Sequence, residues 1–242
     1  MKRRSLALLL ATLLLIVLCM TAACRRQEPP PPSPEEIVAG ASARLAETAG
    51  FHFVIEHSGA PVVLDPDGVL AFRRAEGDFV APDRARATAR IAAPGLVTDV
   101  DVISVAERQW QTNPLTGNWE ELPPNWGFNP AVLFDNQVGL PAILVNDLSE
   151  LTLTGMEQLE GGPEAELYAI SGRATGERLS QMSGGLIGPE PVNAQLWIAP
   201  ETFEVVRVVV TEAAAATEEP SVWQVDFSAF DQAVEIAPPA TE

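Results

Sequence analysis

The sequence predicts an α+β domain: a strongly curved antiparallel sheet, a half-open β-barrel, with short helices packed on its concave face. Three features carry that reading. Apolar residues alternate with polar ones in about nine or ten separate segments, the period of half-buried strands. Most of these segments are separated by Gly, Pro or Asp turns, so neighbours in sequence pair as neighbours in a meander. The stretch Phe128 to Leu148 breaks the alternation and reads as short helical turns rich in Leu, Ile, Val and Phe.

The chain begins with Lys2-Arg3-Arg4, a largely apolar run from Leu6 to Met20, and the small residues Thr21-Ala22-Ala23 before Cys24. These are the parts of a secretory signal, and the run is short for a stable membrane span. The pattern resembles a bacterial lipoprotein signal, in which the cysteine receives diacylglycerol and becomes the new N-terminus. Thr21 departs from that pattern, standing where such boxes usually carry Leu or another aliphatic residue. Lipidation at Cys24 is the expectation, with an uncleaved anchor or a plain secretory cut as alternatives. All three place the residues after 24 outside the cytoplasm. Residues 1–23 are thus expected to be signal and 24–32 a tether, whose Pro29 to Pro32 favour extended polyproline II.

Residues 33–239 are expected to form one domain. Cys19 and Cys24 are the only cysteines, so neither a disulfide nor a cysteine metal site supports that domain. At roughly 200 residues it is long enough to build an ordinary core. Ser33-Pro34-Glu35-Glu36 starts a helix, with a capping serine, proline at the first helical position and a glutamate able to reach back to the cap. Ile37, Ala41 and Leu45 give that helix one apolar face, and Gly50 supplies a stop.

From Phe51 the period becomes two, with Phe51, Phe53 and Ile55 on one face and His52, Val54 and Glu56 on the other. The pattern returns over 68–74, 85–91, 96–107, 151–159, 166–175, 194–199, 204–211 and 221–228. Between them, Asn129 caps a turn begun by Pro130, the segment 141–148 suggests a second short helix, and 177–182 a third. A curved sheet about ten strands wide cannot fill its own hollow with strand side chains as a small barrel does. The hollow therefore takes in helices or holds a ligand.

With the three basic residues of the signal set aside, 12 Lys+Arg face 33 Asp+Glu, and Lys2 is the only lysine. Nucleic acid is excluded as a partner, since phosphate contacts need clustered cations. Arg73, Arg74, Arg84, Arg86 and Arg90 cluster on the early strands. They read as paired surface arginines, or as countercharges for an anionic headgroup. Catalysis finds little support. His52 and His57 lie an odd number of positions apart on one strand, so they point to opposite faces. No nucleophile elbow, phosphate loop or dinucleotide fingerprint is present. Asp65-Pro66-Asp67-Gly68 lacks the later ligands of a calcium loop and reads as a hairpin turn. No cofactor or metal is implied, and the chain is not expected to be an enzyme.

The signal, the proline tether, the helix running into Phe51-His52-Phe53, the central tryptophan followed by Asn129-Pro130, and the closing Val225-Asp226-Phe227-Ser228-Ala229-Phe230 together resemble the LppX/LprA/LprF/LprG lipoprotein family. The likeness is spread over nearly all of residues 33–239. It implies a half-barrel like that of the periplasmic lipoprotein carriers, whose hydrophobic cavity binds an acylated lipid or glycolipid and carries it between membrane sites. Candidate cavity residues are Phe53, Ile55, Val100 and Val102 from strands, and Leu133, Leu140, Ile143 and Leu144 from the central segment. Trp110, Trp119 and Trp126 are candidates for the cavity mouth, where an indole has one dry end and one wet end, with core packing as the alternative. The expected partners are the lipid ligand, the outer face of the cytoplasmic membrane through the anchor at Cys24, and a membrane transporter. The competing reading is a surface sensor or adaptor that binds a protein through the same fold.

Overall fold

A computed structural model describes residues 31–64, 67–123, 129–214 and 219–240. The signal and Cys24 lie outside the described residues, and the compact unit begins at Ser33. It contains helix α1 (Pro34–Glu47), strands β1 (Gly50–Ser58), β2 (Ala71–Val80), β3 (Arg84–Ala93), β4 (Leu96–Val105), β5 (Arg108–Thr112) and β6 (Trp119–Glu121). A 3-10 turn (Pro130–Phe134) and helix α2 (Leu140–Asn146) follow, then β7 (Leu148–Glu157), β8 (Leu167–Ala174), helix α3 (Gly176–Met182), β9 (Val192–Ile198), β10 (Val205–Thr211) and β11 (Val222–Ser228).

All eleven strands form one open antiparallel sheet in the order β6-β5-β4-β3-β2-β1-β11-β10-β9-β8-β7. Two meanders, β1–β6 and β7–β11, are thus joined where the first strand pairs with the last. β6 and β7 are consecutive in sequence yet sit at opposite edges of the sheet. The segment between them must cross the sheet, and it does so on the concave face, where the 3-10 turn rests against β3 and α2 against α1. Topology thereby places a plug over the hollow before any side chain is considered.

α1 starts as its sequence dictates. Ser33 Oγ accepts from the Glu36 amide at 3.2 Å, and the Glu36 carboxylate accepts from the Ser33 amide at 2.8 Å. Its apolar stripe, Ile37, Val38, Ala41 and Leu45, is buried in the core. The Ser42 hydroxyl donates to the Pro141 carbonyl at 2.8 Å, tying α1 to the first turn of α2. Gly40 lets Phe203 approach, since a Cβ there would come within 2.7 Å of the Phe203 ring. Arg44 then bridges Glu204 and Asp231, which itself accepts from the Ala49 amide.

The register fixes which strand face looks inward. Phe53 pairs with Gly77, Gly77 with Ala87, and Ala87 with Val102. The next row runs Ile55, Ala75, Ala89, Val100. On this face β3 carries Ala85, Ala87 and Ala89 before Ile91, and the intervening Arg84, Arg86 and Arg90 point outward. The small inner residues leave a shallow wall, and the aromatic cluster fills the space beside it. Phe134 of the 3-10 turn meets Phe51 edge-on at 4.7 Å and lies 5.3 Å from Phe53 and 5.1 Å from Phe79.

Strand ends differ from the sequence reading in three places. β2 runs on to Val80 through Glu76-Gly77-Asp78, because the inward Gly77 faces Phe53 and packs against β3 instead of making a turn. β5 and β6 are additional, a hairpin too short and too polar to show an alternating run. The first strand of the second meander begins at Leu148, earlier than 151, where two register shifts disturb the alternation.

Phe53 is fully buried at the centre of the aromatic cluster. Phe53→Ala is expected to cost about 3–5 kcal/mol and to lower Tm by roughly 10 °C, measured by calorimetry. A loss below 1 kcal/mol would mean that the hollow collapses around the missing ring.

Candidate functional site

The connector that crosses the sheet does not seal it. Between the 3-10 turn, the end of α2 and the outer face of α3 lies a cleft of about 450 Å³ that is half open to solvent. Val132, Val138 and Met182 form its apolar side, and Asp147, Thr175, Glu177, Arg178 and Gln181 its polar side. Met182 also packs against the buried core, so one wall of the cleft is continuous with the hollow. The cleft lies toward the β7–β8 side, between Asp147 before β7 and Thr175 after β8.

Ion pairing holds its polar side in place. Asp147, the residue after α2, has one carboxylate oxygen 2.6 Å from Arg178 Nε, and its other oxygen accepts from the Thr175 hydroxyl at 3.1 Å. Arg178 Nη1 also donates to the Gln137 carbonyl at 3.4 Å. One guanidinium thus connects α3, the start of β7 and the loop before α2. α3 itself sits closely against the following loop: a Cβ on Gly176 would fall 1.9 Å from the Glu190 carbonyl oxygen.

The residues picked from sequence fall into three groups. Phe53, Ile55, Val100, Ile143 and Leu144 are buried, and Val102, Leu133 and Leu140 are half-buried. The strand members share the concave face through the two rows described above, but none of these eight borders the cleft near α3. Trp110 and Trp119 lie on the opposite, convex face. There Trp110 is buried beneath the Arg108 guanidinium, 4.6 Å from the ring centroid, and Trp119 flanks a shallow groove of about 280 Å³ beside His52, Asp78, Arg86 and Asp101. Trp126 is outside the described residues.

Of the early-strand arginines, Arg74, Arg84, Arg86 and Arg90 also face outward. Arg74 pairs with Glu56 and Glu76, Arg86 with Asp78, and Arg90 with Asp99, while Arg84 donates to the Ile236 carbonyl of the C-terminal tail. None of them borders the cleft. What sequence reasoning missed is the polar side of the cleft. Asp147, Thr175 and Arg178 are three ordinary surface residues in sequence, and only the β7–β8 pairing brings them together.

The two histidines do take opposite faces. His52 points outward, its Nδ1 3.0 Å from Asp78 Oδ1. His57 points into the hollow, where its ring lies 4.8 Å from that of Trp223 and its Nε2 is 3.1 Å from the Ser221 hydroxyl. Burial, helped by the charge of Arg73, holds its pKa below the usual histidine range. The unfolded chain then binds the proton more readily than the folded one, with a pKa of about 6.5.

The family model for the LppX_LprAFG lipoproteins matches residues 33–236. The chain belongs to that lipoprotein family. Its fold is similar to that of LprF from Mycobacterium bovis, with a TM-score of 0.65 at 16% identity, over 86% of this chain and 97% of that one. It is also similar to LppX from Mycobacterium tuberculosis, with a TM-score of 0.59 at 14% identity, over 84% of this chain and 98% of that one. Comparison with curated proteins gives no match.

Stability measured by urea unfolding is expected to fall as pH drops below about 6.5, before the carboxylates titrate, and to fall less steeply in His57→Gln. An equal slope in that variant would assign the proton uptake elsewhere.

Proposed function

We propose that this protein is a lipid-anchored carrier of the cell envelope. It is held by lipid on Cys24 at the outer face of the cytoplasmic membrane, and it takes an acylated lipid or glycolipid into the half-barrel and passes it between membrane sites, with a membrane transporter as the partner in that exchange. The observation that carries this reading is the half-open cleft, walled on one side by Met182 of the core, in a member of this lipoprotein family. Its size falls within the usual range of small-ligand sites.

The chemistry asks for such a device. Burying an acyl chain gains about 0.8 kcal/mol per methylene, on the order of 12 kcal/mol for a long chain, so the lipid leaves a bilayer at a useful rate only if another apolar site receives it. On this reading, chains enter past Met182 and spread along the concave face bounded by Phe53, Ile55, Val100, Val102, Leu133, Leu140, Ile143 and Leu144. Because Phe134 and its neighbours already occupy much of that face, taking up a chain requires the connector to shift outward. A non-enzymatic role agrees with the absence of any recognised catalytic arrangement in the sequence.

One observation favours the adaptor as a second reading. The hollow is densely filled on the β1–β2 side, and Val63 and Leu64 before β2 and Leu96 and Val97 at the start of β4 are exposed at one end of the sheet, where a protein could dock.

Native mass spectrometry and organic extraction of the processed chain, purified from a lipid-replete bacterium, separate the two. A co-purified acyl lipid, with occupancy lowered by Leu140→Trp in the half-buried connector, is the expected result. A clean protein that also ignores added phospholipid and glycolipid would exclude the carrier and leave the adaptor.

A further inference from the structure

On the carrier reading, on which this inference rests, a chain that enters past Met182 next meets residues 183–188, Ser-Gly-Gly-Leu-Ile-Gly, which leave the end of α3 and run toward β9. Ile187 is buried with the core residues and Leu186 is half-buried against them, so this stretch closes the hollow beside the cleft. Its two ends are held differently. On the α3 side the bonds are local: the Gly185 amide donates to the Ser180 carbonyl at 2.7 Å, and the Ile187 amide to Ser183 Oγ at 3.0 Å. On the far side the Gly188 amide donates to Glu212 Oε1 at 2.7 Å. Among the described residues, the other hydrogen bonds of 184–188 all return to 180–183. The Glu212 carboxylate is therefore the one polar attachment of this stretch to the β10–β11 side of the sheet.

Gly184 and Gly185 have φ of 63° and 86°, and a Cβ on either would meet nothing within 4 Å. Positive φ, not lack of room, is what calls for glycine there, and two such residues in a row give the backbone a ready pivot. The post at the other end stays put. The Glu212 amide donates to the Ser221 carbonyl at 2.9 Å, and its second carboxylate oxygen accepts from Nε1 of the buried Trp223 at 3.3 Å. Between pivot and post, Ile187 is retained by apolar burial, which has no direction of its own. A long acyl chain buries more apolar surface than one isoleucine and so displaces it favourably. Gly188 is half-exposed, so water takes over its amide when the bond to Glu212 opens. We propose that residues 183–188 are a strap over the lipid path, pivoting on Gly184-Gly185 and latched by Glu212, in which Ile187 fills the place of an acyl chain until one arrives.

Two measurements on the delipidated, processed chain test this: amide hydrogen exchange followed by mass spectrometry, and the association rate of a fluorescent fatty-acyl probe. Glu212→Ala is expected to speed exchange at Ile187 and Gly188 about tenfold, the effect of losing one hydrogen bond to a charged acceptor, and to speed probe uptake to a similar degree. Glu212→Gln keeps an acceptor for both donors and should remain near the unaltered protein. Ile187→Ala, which leaves the sheet and the post untouched, should speed exchange and uptake in the same direction even if Glu212→Ala folds poorly. Unchanged exchange in both alanine variants, or equal loosening of β10 and β11, would overturn the strap. Faster exchange with unchanged uptake would show that these residues move without gating the path, and would overturn it too. A protein that takes up no probe in any form, yet shows the expected exchange, would overturn the carrier reading and leave the latch standing.

Discussion

The pairing of β1 with β11 is the interaction on which the rest of the structure depends. Seven residue pairs, from His52 with Ser228 to Ser58 with Val222, join a strand near residue 55 to one near residue 225. Without it the chain has two separate meanders, each with an apolar face and nothing to bury it against. With it, Phe51 and Phe53 are set beside Phe227, Val208 and Leu196 lie in the same core, and the curved sheet acquires a single concave face. Arg207 and Asp226 pair on the other side of the β10–β11 ladder, at a half-buried position where an ion pair fixes register more than it adds stability.

Joining the meanders at the centre sends β6 and β7 to the edges, and everything at the candidate site follows from that separation. The connector has to bridge the sheet, so the residues that plug the hollow and those that border the cleft come from one crossing segment and from the helix opposite its landing point. The edges are also kept unattractive to other strands. β6 is three residues long, and β7 carries two register shifts, with Glu150 and Gly155 at positive φ.

Much of this was legible in the sequence. The capping box at Ser33, the alternation through Phe51, Phe53 and Ile55, and the cap at Asn129 are local signals, and local physics decides them. The inward assignment of Val100 and Val102 was open at that stage, because a shift of one residue reverses a strand; it is set by Ala89 and Ala87 across the ladder, which no local pattern reveals. β3 hid its inner face for a related reason. Its Arg-Ala alternation carries the period of a strand, but small residues on the inside make it read as a basic cluster. The polar side of the cleft was not legible at all, since Asp147, Thr175 and Arg178 acquire meaning only from a contact between segments nearly thirty residues apart.

The order of the sheet also sets an order of events for a chain that is made from its N-terminus. β1 is among the first strands to appear, and its final partner is the last. Until residues 222–228 are available, the first meander presents an apolar strand with one open side, because the pairing that covers it is the most long-range in the sheet, and such an open edge tends to join other chains. A chain shortened by its last twenty residues would lose its central seam, not merely a tail. The same arrangement delays closure of the domain until the whole polypeptide has been made.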